Sequence, residues 1–129
     1  MTIAIAGERY ALDVGQVLEI TDLARVTPVP GAPEAVLGVC NVRGEVLPLL
    51  SLARLLSLGD GAGAARMVVT DNAGTHTALA VDAVLDVGPA PALTEHPDAP
   101  LLDGAAVVGD ALVGMINLPM LLSAAQSGP

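Results

Sequence analysis

The sequence is poor in aromatic residues, and this shortage determines what can fill the core. Aromatic side chains make up 1% of the 129 residues, and Tyr10 is the one that is present. A hydrophobic fraction of 53% still supplies enough apolar surface for a folded protein. The core must therefore depend on close packing of aliphatic side chains rather than on large rings.

Positive charge is also scarce. The chain has five arginines and no lysine against 14 acidic residues, which gives a formal net charge of −9. A surface this acidic repels phosphate backbones and anionic lipid headgroups. The composition therefore argues against nucleic acid as a partner and against direct insertion into a membrane.

Disulfide pairs and long apolar runs are missing as well. Cys40 is the single cysteine, so no internal disulfide can form, which is typical of a reducing compartment. No basic segment followed by a long apolar stretch opens the chain, and no apolar run approaches the length of a membrane span. We therefore expect a soluble, cytoplasmic protein.

Residues that could carry chemistry are few and scattered. His76 and His96 are expected to face solvent, and Cys40 lies in an apolar strand pattern, where a buried small side chain is the better interpretation. Asp82 and Asp86 are four residues apart on a strand pattern, and we interpret them as a solvated face rather than an acid–base pair. The sequence therefore predicts no catalytic residue, no cofactor and no metal site.

Short alternating apolar segments and frequent turn signals dominate the pattern. Strands are expected in a hairpin over 3–14 with its turn at 7–9, and at 39–42, 46–50, 67–70, 75–87, 105–108 and 111–116. Residues 16–20 fit either a short helical turn or a strand. Many short strands separated by turns indicate a barrel or a sandwich.

Helix signals are few, and each predicts a short element. Helices are expected from Pro33 to about Leu37, after the N-cap Ser51 to a close at Gly59, and after the cap Asn117 from Leu118 to about Ala125. Pro48 lies in the strand 46–50 and favours an edge position, because proline has no backbone N–H for a ladder bond.

Residues 38–48, which read GVCNVRGEVLP, form the most distinctive segment. The segment resembles the signature of CheW-like domains, in which a Gly-Val-hydrophobic-Asn-hydrophobic-Arg-Gly stretch leads into a strand with a proline. Further segments resemble the family in the same order, at residues 10–12, 17–20, 30–33, 80–84 and 104–118. The resemblance covers nearly the whole chain, and several motifs in order are more specific than one.

The resemblance implies a fold that periodicity alone does not give. It implies an all-β protein with a few short helices, built as two small five-stranded SH3-like β-barrels packed on a shared core. In such a protein strands are exchanged, so that the N- and C-terminal segments belong to the same barrel. Residues 1–129 are then expected to form a single CheW-like domain of two intertwined subdomains.

The resemblance also implies a function. CheW-like proteins are non-enzymatic scaffolds that couple methyl-accepting chemoreceptors to a chemotaxis histidine kinase in bacterial signal transduction. The implied partners are the cytoplasmic hairpin tip of the chemoreceptor and the regulatory domain of the kinase. The implied location is the cytoplasm, at membrane-associated receptor arrays.

Particular residues fall on positions that the family uses. The resemblance implies that the receptor-facing, partner-binding residues are Val17, Glu19, Gly38 and Arg43, and that Asn41 and Gly44 have structural roles in the turn. The sequence leaves open whether Glu19 and Arg43 pair with each other.

Two departures from the family pattern indicate a divergent member. Residues 50–53 read LSLA where the family has an acidic residue followed by arginine, and Asn117 stands where the closing strand usually ends in aspartate. One alternative is therefore a CheW-like regulator of another kinase-linked pathway, such as surface motility. A second is a small ligand-binding or enzymatic β-barrel, which would need convergent polar groups in a pocket that the sequence does not indicate.

Overall fold

Ten strands in two sheets make up about half of the described chain. The structure is a computed structural model that describes residues 1–23 and 25–126. The strands are β1 (Thr2–Ile5), β2 (Glu8–Ala11), β3 (Val17–Asp22), β4 (Val36–Val42), β5 (Glu45–Ser51), β6 (Arg66–Asn72), β7 (Thr75–Val81), β8 (Ala83–Asp86), β9 (Leu102–Val108) and β10 (Ala111–Ile116). The helices are α1 (Leu52–Leu55) and α2 (Leu118–Gln126), and Val14–Gln16 form a short 3₁₀ turn. The all-β prediction is confirmed.

The two sheets draw on different parts of the chain. The central sheet has the order β3-β6-β7-β5-β4 and uses consecutive strands. The terminal sheet has the order β8-β1-β2-β10-β9 and combines both ends of the chain. Parallel pairing of β2 with β10, with Tyr10 opposite Gly114, joins these ends. The two predicted five-stranded units, one of which contains both the N- and the C-terminal segments, are therefore confirmed.

The chain passes from one sheet to the other at Asp82. A continuous strand over 75–87 was expected, and this is wrong, because β7 belongs to the central sheet and β8 to the terminal sheet. The backbone N–H of Asp82 donates to the carbonyl of Ala4 at 3.0 Å. Its carboxylate accepts from the backbone N–H of Ala6 at 2.8 Å. These bonds fix the crossover, and they give Asp82 a structural role that does not involve Asp86.

One hydrophobic cluster is shared by both sheets. Ile3 and Ile116 enter it from the terminal sheet, Val68 and Leu79 from the central sheet, and Leu121 from α2. All five side chains are at most 2% exposed. Burial of this much aliphatic surface is the main force that holds the two sheets together.

A second cluster lies within the central sheet alone. Cys40, Leu47, Met67 and Val69 are among its members. Cys40 is 3% exposed, which confirms that it is buried, and its Sγ lies 3.8 Å from Sδ of Met67. Burial raises the pKa of the Cys40 thiol, so the thiol stays protonated and unreactive at neutral pH.

Two predictions based on proline are wrong, and strand pairing explains both. No helix starts at Pro33; residues 34 and 35 form a turn, and Val36 already pairs with Leu50. The strand that holds Pro48 is not at an edge, since β5 lies between β7 and β4. Opposite Pro48, Val39 makes its backbone bonds with Thr27, and pairing of β5 with β7 begins only at Leu49. The missing N–H of Pro48 therefore removes no ladder bond.

The structure assigns the ambiguous segment before β3 and the two capped helices. Residues 14–16 form the 3₁₀ turn, and β3 begins at Val17. Ser51 caps α1, since its Oγ accepts from the N–H of Arg54 at 3.2 Å, but α1 ends at Leu55 rather than near Gly59. Asn117 caps α2 as predicted. In the described chain, no helix is long and apolar enough to cross a membrane.

Candidate functional site

The turn between β4 and β5 is built by its own residues. Arg43 and Gly44 have φ angles of 52° and 86°, and two consecutive positive φ angles are the mark of a type I′ hairpin turn. The side-chain oxygen of Asn41 accepts from the backbone N–H of Gly44 at 2.9 Å. Glycine has little strain at positive φ, and the Asn41 bond stabilises the turn further. The turn therefore places Arg43 at the tip of the β4–β5 hairpin, and residues 43–44 are called the Arg43 turn.

Glu19 and Arg43 form an ion pair. Nε of Arg43 lies 2.6 Å from Oε1 of Glu19, and this bond raises the pKa of the guanidinium. The side chain of Arg43 is 81% exposed and that of Glu19 is 24% exposed. Because β3 and β4 are the two edge strands of the central sheet, the pair joins edges that do not pair through their backbones. The question that the sequence left open is thus answered: the two side chains touch.

Val17 lies on β3 but not beside the ion pair. The register of β3 shifts between Val17 and Glu19, where Val17 is opposite Thr70 and Glu19 is opposite Val69. Neighbouring residues of β6 point to opposite faces, so this bulge turns Val17 and Glu19 to opposite faces as well. Val17 is half-buried and packs against the shared core.

Gly38 is buried where a second strand segment approaches β4. Its φ angle is +148°, and a Cβ atom at this position would lie 2.2 Å from the carbonyl oxygen of Thr27. Thr27 forms backbone bonds with Val39 in both directions, at 2.8 and 2.9 Å. Packing therefore explains why glycine is needed here, while contact of Gly38 with a partner stays a prediction.

A small groove opens between β3 and β4 around the ion pair. Its volume is about 190 Å³, and it is lined by Glu19, Thr21, Asp22, Asn41, Val42, Arg43 and Met67. The groove is shallow and combines two carboxylates, a guanidinium and short polar groups. Such an arrangement can orient a protein partner, but a groove of this size does not enclose a substrate.

His76 faces solvent as predicted, and it also belongs to a charged cluster that the sequence did not reveal. Its side chain is 33% exposed, and Nδ1 lies 2.9 Å from Oε1 of Glu45. Its Nε2 lies 3.7 Å from Oδ1 of Asp71. The bond to Glu45 raises the pKa of His76. Glu45 and His76 are far apart in the sequence, and only the pairing of β5 with β7 brings them together, whereas His96 is exposed as predicted.

A larger groove lies between the central sheet and α2. Its volume is about 530 Å³, and its walls include Val36, Pro48 and Leu50 on one side and Leu122 and Ala125 on the other. Among the described residues that line it, none is acidic, basic or histidine. In residues 1–23 and 25–126, no group of three His, Cys, Asp or Glu side chains is placed to hold a metal ion. The groove is formed by distant segments, so no local pattern could have predicted it.

Fold and site together define a class of protein. Two five-stranded sheets share one core, and charged side chains gather at exposed hairpin turns instead of in an enclosed pocket. These features are typical of a β-sheet scaffold that binds other proteins.

Comparisons with known proteins identify the family. The CheW-like domain family matches residues 1–126. A probable chemotaxis protein CheW from Rhizobium etli is 27% identical over 95% of this chain and 86% of its own length. The chemotaxis protein CheW of Klebsiella aerogenes is 26% identical over 95% of this chain and 80% of its own. The crystal structure of the scaffolding protein TtCheW from Thermoanaerobacter tengcongensis superposes with a TM-score of 0.81, at 28% identity, over 93% of this chain and 84% of that one. The chain belongs to the CheW-like family.

Proposed function

We propose that this chain is a non-enzymatic chemotaxis adaptor that couples chemoreceptors to a histidine kinase, and that the Arg43 turn docks the receptor. Membership of the CheW-like family across residues 1–126 carries the proposal. The adaptor works in the cytoplasm at membrane-associated receptor arrays. One surface binds the cytoplasmic hairpin tip of the receptor, and another binds the regulatory domain of the kinase.

The Glu19–Arg43 pair supports the receptor part of this proposal. Glu19 holds the guanidinium through Nε at 2.6 Å, while 81% of the Arg43 side chain remains accessible to a partner. An exposed ion pair of this kind contributes little to folding stability. Its geometry is therefore available for recognition, where a preorganised arginine at the centre of an interface is often a main contributor to affinity.

The neighbourhood of the pair suits a helical partner. Val46 is 64% exposed, and it lies opposite Asn41 in the β4–β5 hairpin. A receptor hairpin tip is a bundle of helices, and a helix docks well on an apolar surface that carries a few polar anchors. In this proposal Val17 and Gly38 act through shape, because they fix β3 and β4 on either side of the groove.

Calorimetric titration with two partners from the same genome tests the proposal. A receptor hairpin-tip fragment and the kinase regulatory domain are each expected to bind. Arg43→Ala should weaken receptor binding by about tenfold, the loss typical of one important interface arginine, and should leave kinase binding unchanged.

Arg9→Ala is the matched control. Arg9 is an exposed arginine on β2 of the terminal sheet, and it does not line the groove around the Glu19–Arg43 pair. It should change receptor affinity by less than about twofold if the effect is local. Equal losses in both variants would point to general electrostatics instead, and failure of both partners to bind would contradict the adaptor function.

A further inference from the structure

Side-chain contacts on both sides hold the Arg43 turn. On one side Arg43 contacts Glu19 of β3. On the other side Glu45, the first residue of β5, places both carboxylate oxygens 2.9 and 3.1 Å from Nδ1 of His76 on β7. The position of the turn therefore depends on two independent charged contacts, one of which includes a group that titrates near neutral pH.

The surroundings of His76 are acidic. Its neighbours in the sheet, β5 and β6, present Glu45 and Asp71. Helix α1 and strand β1 also contact β7; α1 carries Arg54, which donates to two backbone carbonyl groups, and β1 has no charged residue. Protonation gives the imidazole a full positive charge, which strengthens its hydrogen bond to Glu45 through Nδ1 and attracts the Asp71 carboxylate across 3.7 Å.

We propose that His76 is a positioning residue that steadies the Arg43 turn when it is protonated, and that docking at this turn is therefore stronger in acidic than in alkaline solution. The first half concerns the free protein, and the second half rests on the proposed receptor docking. Neither Glu45 nor His76 falls on a position that the family resemblance assigned to binding.

The direction of the pH effect follows from linkage. The carboxylate of Glu45 raises the pKa of His76 above its ordinary value of about 6.5. The contact therefore stabilises the folded turn fully below about pH 6.5, the unfolded value. Its contribution is lost as the pH rises through the higher folded-state pKa.

Nuclear magnetic resonance of the free protein tests the first half. The ring signals of His76 as a function of pH give its pKa. The ¹H–¹⁵N heteronuclear NOE of residues 43–45 should decrease as His76 loses its proton. In Glu45→Gln the pKa of His76 should move back toward its ordinary value, and the NOE of the turn should be low at every pH.

Binding of the receptor hairpin-tip fragment at pH 6 and pH 8 tests the second half. Wild-type affinity should be about two- to fivefold higher at pH 6, the range expected for an exposed ion pair. His76→Gln should remove this difference, whereas His96→Gln makes the same substitution at the exposed histidine away from the turn and should keep the difference. The kinase regulatory domain is the control partner, and its affinity should respond equally in wild type and His76→Gln.

The outcomes separate this inference from the proposed function. If the NOE of residues 43–45 does not change as His76 titrates, the positioning role is wrong, whether or not the receptor fragment binds. If the NOE changes with the titration but the protein binds no receptor fragment, the positioning role is supported and the docking function is contradicted. Equal pH dependence of receptor binding in wild type and His76→Gln overturns the second half alone.

Discussion

The two sheets of this protein differ in how they are assembled and in what they expose. The central sheet uses consecutive strands from β3 to β7, and charged contacts join its strands and turns, as in the Glu19–Arg43 and Glu45–His76 pairs. The terminal sheet needs both ends of the chain, and its outer face exposes aliphatic side chains such as Val107 and Leu112, which lie opposite each other and are 58% and 57% exposed.

The difference lies in what each sheet brings together. In the central sheet the hairpins β4–β5 and β6–β7 are local in sequence, and the exposed β4–β5 turn carries Arg43. The terminal sheet also has local hairpins, but its parallel pairing of β2 with β10 joins the two ends of the chain, and its buried side chains help to complete the shared core. The residues proposed for receptor docking, Glu19 and Arg43, thus lie on the central sheet, where pairing between distant strands brings them together.

The largest expected effect comes from a residue that both sheets share. Leu79 is completely buried in the shared cluster, and Leu79→Ala should lower the free energy of unfolding by about 4 kcal/mol, because the cavity lies between two packed layers. Urea denaturation measures this change. Tyr10 fluorescence follows the terminal sheet and Cys40 labelling follows the central sheet, and the two transitions should coincide. Separate transitions would mean that the sheets fold independently.

A smaller loss of stability is expected from a substitution within the central sheet. Gly38→Ala would place Cβ 2.2 Å from the carbonyl of Thr27, and the strained backbone and displaced strand should lower the free energy of unfolding by about 3 kcal/mol. Gly44→Ala in the same hairpin is the matched control. At Gly44 a Cβ meets no atom within 4 Å, so positive φ alone should cost about 1 kcal/mol. Denaturation curves of both variants would show similar losses if packing at Gly38 were unimportant.

The smallest effects test the exposed face of the terminal sheet. Val113 is 3% exposed and its neighbour Leu112 is 57% exposed on the same strand, β10. Val113→Thr should lower the free energy of unfolding by about 2 kcal/mol, because it buries a hydroxyl group. Leu112→Thr should change that free energy by less than about 0.5 kcal/mol. Thermal unfolding of the pair measures the contrast. A costly Leu112→Thr would show that the exposed aliphatic face contributes to folding.

Local patterns predicted the hairpins well, and the reasons are local. The turn at Arg43–Gly44 and the cap at Asn117 depend on backbone geometry and side-chain bonds within a few residues. The family resemblance added the pairing of the two chain ends, which periodicity does not contain. The Glu19–Arg43 contact was left open, because it joins strands 24 residues apart.

Predictions failed where a distant strand decided the outcome. Apolar alternation continues through Asp82, so the pattern does not reveal that the chain changes sheets there; bonds to Ala4 and Ala6 impose the crossover. Pro48 suggested an edge strand, but its strand is interior. Because Val39, the residue opposite Pro48, makes its backbone bonds with Thr27, the proline removes no ladder bond. His76 faces solvent as expected, but its contact with Glu45, which is 31 residues away in the sequence, was not predicted.

The sequence by itself determined that this is an aliphatic, acidic, all-β protein with short helices, and its motifs determined the family. Composition, alternation and turn residues act over a few positions, so they can be read from the chain directly. Only the tertiary structure decided which carboxylates meet Arg43 and His76, where the chain crosses between sheets, and where the grooves lie. Those features depend on register and on pairing between distant strands, and a shift of one residue in register would turn each side chain to the opposite face.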